Sequence, residues 1–190
     1  EEVERYRMPD PCAPGRIENA LRDIARFKKD YFVIGDCEIS MFEMAWHLTG
    51  LTDYLIGMAD EEEWVDALND KVEAFTTGLA EQLAKAGADA IWLGEDLGSQ
   101  VSTLIAPDAW RRMFKPRHAR LIQKLRAINP EIVIIMHSDG AVAPLIDDFI
   151  EIGVDVYNPV QPNVPGSDPA ELMKKYGGRI RFFGGIDQQG

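Results

Sequence analysis

Ile132-Val133-Ile134-Ile135-Met136-His137-Ser138-Asp139-Gly140 is the stretch that decides how this chain folds. Five apolar residues run without a break into a histidine, a serine, an aspartate and a glycine. An uninterrupted apolar run of this length reads as a strand buried on both faces, as in a parallel sheet covered by helices. Its polar end falls where α/β proteins bind ligands and do chemistry. His137 and Asp139 are two residues apart, so on an extended backbone they point to the same side. An imidazole and a carboxylate converging on one point could hold a divalent metal or exchange a proton.

The same pattern repeats on both sides of this stretch. Upstream, Ala106-Pro107 opens a helix that runs to Ile128, with a kink or break expected at Pro116. Before it, Ala88–Gly94 is a strand ending in Glu95-Asp96. A long helix precedes that strand, with Asp60 as its cap, Glu61, Glu62 and Glu63 in its first turn and Gly87 as its stop. Thr52–Met58 reads as a short turn. Ser40–Leu48 is a short helix, with Ser40 and Glu43 in a capping-box pattern. Tyr31–Gly35 is a strand ending in Asp36-Cys37-Glu38, and Arg16–Lys29 has helical spacing. Residues 1–14, with Pro9, Pro11 and Pro14, read as an extended arm.

Downstream, Val142–Ile152 is helical and Gly153 ends it. Val154–Tyr157 is a strand ending in Asn158-Pro159-Val160-Gln161. Asp168-Pro169 caps a helix over Ala170–Tyr176. Arg179–Phe183 is a last strand, ending in Gly184-Gly185-Ile186-Asp187-Gln188-Gln189. Strand and helix alternate throughout, which argues for parallel strands with right-handed crossovers and an α/β fold.

Five strand ends of one chemical style favour one shared rim. His137, Asp139, Glu95 and Asp96 are the catalytic candidates, with His137 and Asp139 the metal-ligand pair. Asp36, Glu38, Gln100, Asn158, Gln161 and Asp187 are the substrate-binding candidates. Plainer readings stand beside these. Asp139 could cap the next helix, and of the adjacent pair Glu95 and Asp96 only one need point inward. His47 and His118 lie on helices and read as structural or solvated, and the strand-start residues Asp30, Asp89, Glu131, Asp155 and Arg179 read as solvated turns.

Composition narrows the partners. The chain has 190 residues, 46% apolar and 27% charged, with a net charge of −12. That balance argues against a nucleic-acid groove and against an anionic membrane surface. A local pocket can still accept an anionic small molecule. Cys12 and Cys37 match no zinc motif and read as free thiols in a reducing cytoplasm. No apolar run approaches the ~20 residues of a membrane span, and the acidic opening Glu1-Glu2-Val3-Glu4 is not that of a signal peptide.

Three runs together resemble the uroporphyrinogen decarboxylase superfamily: Ile134–Gly140, Ile152–Gln161 and Phe183–Asp187. Gly94-Glu95-Asp96-Leu97-Gly98-Ser99-Gln100, followed by Pro107, Trp110 and Lys115-Pro116, extends the likeness, which covers most of the chain from Tyr31 onward. The resemblance implies a TIM (β/α)8 barrel, of which this chain would supply about five βα units, strands three to seven. Residues 1–190 would then be a single partial barrel domain of a protein roughly twice this length, with strands upstream of Glu1 and downstream of Gly190. A sheet left open in this way has two free edges and an apolar inner face, which invites aggregation or pairing with another copy.

The superfamily includes the cofactor-free haem-pathway decarboxylase and zinc methyltransferases that work with corrinoid proteins. In the zinc branch a His-x-Cys pair ends the strand that matches Ile132–His137, and another cysteine follows. Here Asp139 stands at the first of those cysteine positions and no later cysteine exists. The resemblance therefore implies a zinc site of histidine and carboxylate, a harder donor set suited to an oxygen-linked methyl donor. The decarboxylase's arginine-rich N-terminal motif is not present, and Asn158-Pro159 stands where it has aspartate and tryptophan. The resulting expectation is a metal-dependent methyltransferase acting on a small methylated substrate, with a corrinoid protein as partner. The alternatives are a metal-free uroporphyrinogen-type decarboxylase and a non-catalytic partial-barrel assembly module.

Overall fold

Five strands run parallel in one sheet, in the order in which the chain makes them: β1 (Ile34–Cys37), β2 (Ala90–Gly94), β3 (Val133–His137), β4 (Val156–Val160) and β5 (Arg181–Gly184). The structure is a computed structural model that describes residues 2–187. Because crossovers are right-handed, a parallel order that never reverses puts every connecting helix on the same face. A doubly wound sheet would reverse its order part-way. The unreversed order is the winding of a TIM barrel, here a partial one with five of the eight strands.

The two faces of the sheet differ accordingly. On the outer face Cys37, Leu93, Met136 and Tyr157 form one rung in register. All four are buried beneath the helices. Burial in this layer pushes the Cys37 thiol up to about 12, so it stays protonated. On the inner face Ile34 is 43% exposed and Phe183 55%. Asp36, Trp92, Ile135, Val156 and Arg181 form a row across this face.

The helical layer consists of α1 (Glu2–Arg5), α2 (Glu18–Phe27), α3 (Met41–Thr49), α4 (Leu51–Ala59), α5 (Glu63–Lys85), α6 (Pro107–Met113), α7 (Lys115–Ile128), α8 (Ile146–Ile152) and α9 (Pro169–Tyr176). The break expected at Pro116 occurs at Phe114, and Pro116 falls in the first turn of α7, where its missing N–H is no loss. Gly153 ends α8 with φ 93°, and Asp168 caps α9 through the Glu171 N–H.

Some boundaries depart from the sequence reading. The arm opens with a short helix, whose end Lys71 of α5 holds through the Tyr6 carbonyl at 2.8 Å. The segment read as a turn at Thr52–Met58 is the full helix α4, because Gly50 at φ 89° lets α3 and α4 join directly. Asp60 closes α4 rather than opening α5, whose N-cap is Glu62. The first strand starts at Ile34, leaving Tyr31 and Phe32 exposed. Val142–Ile152 divides into a 3₁₀ turn, Ala143–Leu145, and α8.

Two acids at strand starts turn out to pin the sheet instead of facing solvent. Asp155, just before β4, accepts the Ile134 N–H at 2.7 Å and a guanidinium N–H of Arg126 at 2.6 Å. Asp89, just before β2, accepts the Val33 N–H at 2.9 Å and Lys28 Nζ at 2.9 Å. The Lys28 bond, with the Val33 N–H, holds the Asp89 carboxyl below its ordinary range. A folded-state pKa below the unfolded one stabilises the native state above the unfolded value. That stabilisation is lost as pH falls through the lowered folded value. The stability difference between the wild type and Asp89→Asn should therefore be constant at neutral pH and shrink below about pH 4. Urea denaturation of the full-length protein at a series of pH values measures it.

Candidate functional site

Strand alternation sorts the rim residues. Residues in phase with Trp92, Ile135 and Val156 point inward, and their neighbours point to the helices. Asp96, His137 and Asp139 continue the inward phase past or at the ends of β2 and β3, and Asn158 carries it in the middle of β4. Glu95, Ser138 and Tyr157 follow the outward phase.

The inward residues converge. One ligand atom each from Asp96, His137 and Asp139 lie within 4.8 Å of one another. His137 Nε2 is 3.8 Å from Asp96 Oδ1 and 3.8 Å from Glu38 Oε1, beyond hydrogen-bond reach. Asn158 Oδ1 lies 2.7 Å from His137 Nδ1. The Asp139 N–H donates to Asp96 Oδ1 at 3.1 Å, and Gln161 Nε2 donates to Asp139 Oδ1 at 3.3 Å. Gln161 Oε1 in turn accepts the Gly140 N–H at 2.7 Å. Asp139 thus faces the site and does not cap the following helical turn, whose N-cap is Val142. Burial first, then the neighbouring Asp96 charge, pushes the Glu43 carboxyl on α3 above its ordinary range.

This donor set fits a divalent cation. It offers an imidazole nitrogen and two carboxylates, each of them half-buried, with Glu38 close by. Without a cation, clustered carboxylates repel one another. Among the described residues no thiolate reaches the cluster, since Cys37 points into the helix layer and Cys12 lies on the opening arm.

A family model described as uroporphyrinogen decarboxylase (URO-D) matches residues 1–189. The chain belongs to the uroporphyrinogen decarboxylase family. A solved structure titled methyltransferase from Methanosarcina mazei shares its fold, with a TM-score of 0.71 at 21% sequence identity. The superposition covers 88% of this chain and 48% of that one, so the chain spans about half the length of that structure. No curated protein sequence matches the chain.

At position 139 the rim carries an aspartate, an oxygen donor. The other rim residues divide in position. Asp36 lies on the inner face of β1, paired in register with Trp92. Gln100 gathers with Gln161, Asn163 and Asp187 around a small crevice at the rim. There Asn163 Nδ2 donates to Asp187 Oδ2 at 2.6 Å. Asn158 is 7% exposed and directs its amide to His137. Gln188 and Gln189 lie outside the described residues.

Glu95 does not join the cluster, so the pair Glu95 and Asp96 is split between two layers. Its carboxylate is fully buried beneath the N-terminus of α3. It accepts the Ser40 hydroxyl at 2.6 Å, the Phe42 N–H at 2.8 Å, the Met41 N–H, and His118 Nε2–H at 3.0 Å. Ser40 gives its hydroxyl to Glu95 and to the Gly94 carbonyl, so the capping box expected with Glu43 does not form. His118, on α7, is likewise fully buried and is structural.

Two residues of the site were not singled out in the sequence. Trp92 lays its ring against His137, with centroids 5.3 Å apart and planes at 25°, and meets Phe183 edge-on. Ser138 Oγ accepts the Leu97 N–H at 2.9 Å and ties the β2 loop to β3. The inward phase of Trp92, two residues before Gly94 and four before Asp96, was the available signal.

Replacing Glu95 tests its structural role. Glu95→Ala leaves buried N–H groups and His118 without their acceptor, and should lower the unfolding free energy of the full-length protein by about 3–5 kcal/mol. Glu95→Gln, which keeps the shape and some acceptor capacity, should lower it less. Denaturant melts measure both.

Proposed function

We propose that this chain forms the catalytic half of a metal-dependent methyltransferase. The convergence of Asp96, His137 and Asp139 on one point of the rim carries the reading. His137 Nε2 and the two carboxylates would hold the metal, and zinc suits a nitrogen–oxygen set of this kind. When bound, the metal would supply Lewis acidity toward the heteroatom that bears the methyl group. Asn158 and Gln161 orient two of the ligands. Asp36, Glu38, Gln100 and Asp187 are exposed and would contact a small methylated substrate. In such a transfer the bond between methyl carbon and heteroatom would break, the heteroatom keeping the electron pair and taking a proton from solvent, and a reduced corrinoid carried by a partner protein would supply the electron pair of the new bond to the methyl carbon. Membership of the family and the shared fold with a methyltransferase support this reading.

The family's decarboxylase reaction is the second reading, and the charge of the rim disfavours it. A polycarboxylate substrate would meet Asp36, Glu38, Asp96, Asp139 and Asp187. Arg181 is the one Lys or Arg in the five strands to face them.

Metal analysis of the purified full-length protein should find about one zinc per chain. His137→Ala should weaken zinc binding by more than the 10–100-fold typical of outer-sphere changes and abolish methyl transfer. Absence of any bound divalent metal, with activity unchanged in His137→Ala, would overturn the metal role. Turnover of uroporphyrinogen, followed by porphyrin absorbance after oxidation, would favour the decarboxylase instead.

A further inference from the structure

We infer that Asn158 is a positioning residue: it locks His137 in the Nδ1–H tautomer and so keeps Nε2 bare toward the acidic cluster. The argument starts from register. His137 ends β3 and pairs with Asn158 in β4, so their inward side chains are direct neighbours. The Asn158 amide oxygen lies 2.7 Å from Nδ1. An amide oxygen only accepts, so Nδ1 must carry the proton, and in the neutral ring Nε2 is then the acceptor. Among the described residues Nε2 has no hydrogen-bond partner of its own, its two carboxylate neighbours being 3.8 Å away.

Two surroundings hold the arrangement in place. The Trp92 ring stacks on one face of the imidazole, which limits rotation of the ring. The Asn158 side chain is nearly buried, and its backbone carbonyl is occupied by the Ser138 N–H at 2.8 Å. The Asn158 side chain is therefore largely withdrawn from solvent. An asparagine does this without adding charge, whereas the ligands on the other side of the ring are already anionic. This use of Asn158 differs from the substrate contact expected of it from the sequence.

The tautomer is a property of the metal-free protein, and only its consequence for affinity rests on the metal reading. In the full-length protein with ¹⁵N-labelled histidine, two-bond ¹⁵N–¹H correlation spectra at about pH 8, above the ordinary histidine range near 6.5, read the protonated nitrogen directly. The signals that vanish in His137→Gln identify the ring. The wild type should show Nδ1–H. Asn158→Asp, which keeps the acceptor, should retain it. Asn158→Ala should shift the population toward Nε2–H, and its zinc affinity should fall about 10–100-fold. An Nε2–H ring in the wild type, or a tautomer unchanged in Asn158→Ala, would overturn the inference. If neither protein binds zinc but the tautomer shifts as stated, the positioning role stands and the metal reading falls.

Discussion

A carboxylate without solvent contact must be satisfied by the protein or it destabilises the fold. Glu95 is that carboxylate, and its donors come from two helices of different crossovers. The first turn of α3 provides backbone N–H groups and the Ser40 hydroxyl, and α7 provides His118. The end of β2 is thereby tied to the segment that follows β1 and to the helix that precedes β3. The positive end of α3 favours the anion further. Because Glu95 is fixed outward, its neighbour Asp96 is fixed inward, beside His137. The close approach of Gly94 to the Glu38 carbonyl belongs to the same knot, for a Cβ there would lie 1.4 Å from that oxygen. The position of Glu38 at the rim follows from this contact.

Much of this was legible from the order of residues. The apolar runs, the helix stops at Gly87 and Gly153, and the Asp168 cap act locally, so they can be read locally. The partial barrel followed from alternation of strand and helix together with the family motifs. What failed were features decided by contacts distant in sequence. Ser40 before a helix, with Glu43 three residues on, fits a capping box. Nothing near it reveals that a carboxylate fifty-five residues away takes the hydroxyl and the first N–H groups. Asp89 and Asp155 look like turn residues until the neighbouring strand is in place to offer its N–H. Asp60 and the glutamates after it suit a helix start, but α4 already occupies the chain up to Ala59.

The site itself was half legible. Its residue types could be listed from the strand ends, but listing them does not say which way each one faces. The period of two carries that information once the strand register is known. Counting from Trp92 through Gly94 puts Asp96 inside and Glu95 outside. Counting from Ile135 puts His137 and Asp139 inside and Ser138 outside. The stack of Trp92 on His137 and the bond from Asn158 depend on which strands are adjacent, and that is a property of the sheet.

The difference between the two faces of the sheet also bears on how such a protein can change. Outward residues such as Leu93, Met136 and Tyr157 are bound into the core, and altering their volume disturbs everything packed on them. Inward residues such as Asp36 and Asp139 carry little of that packing. A lineage can exchange one side chain for another at position 139 without first solving a folding problem. The chemistry of the rim and the stability of the barrel wall are in this sense separately heritable, interleaved residue by residue along the same strands.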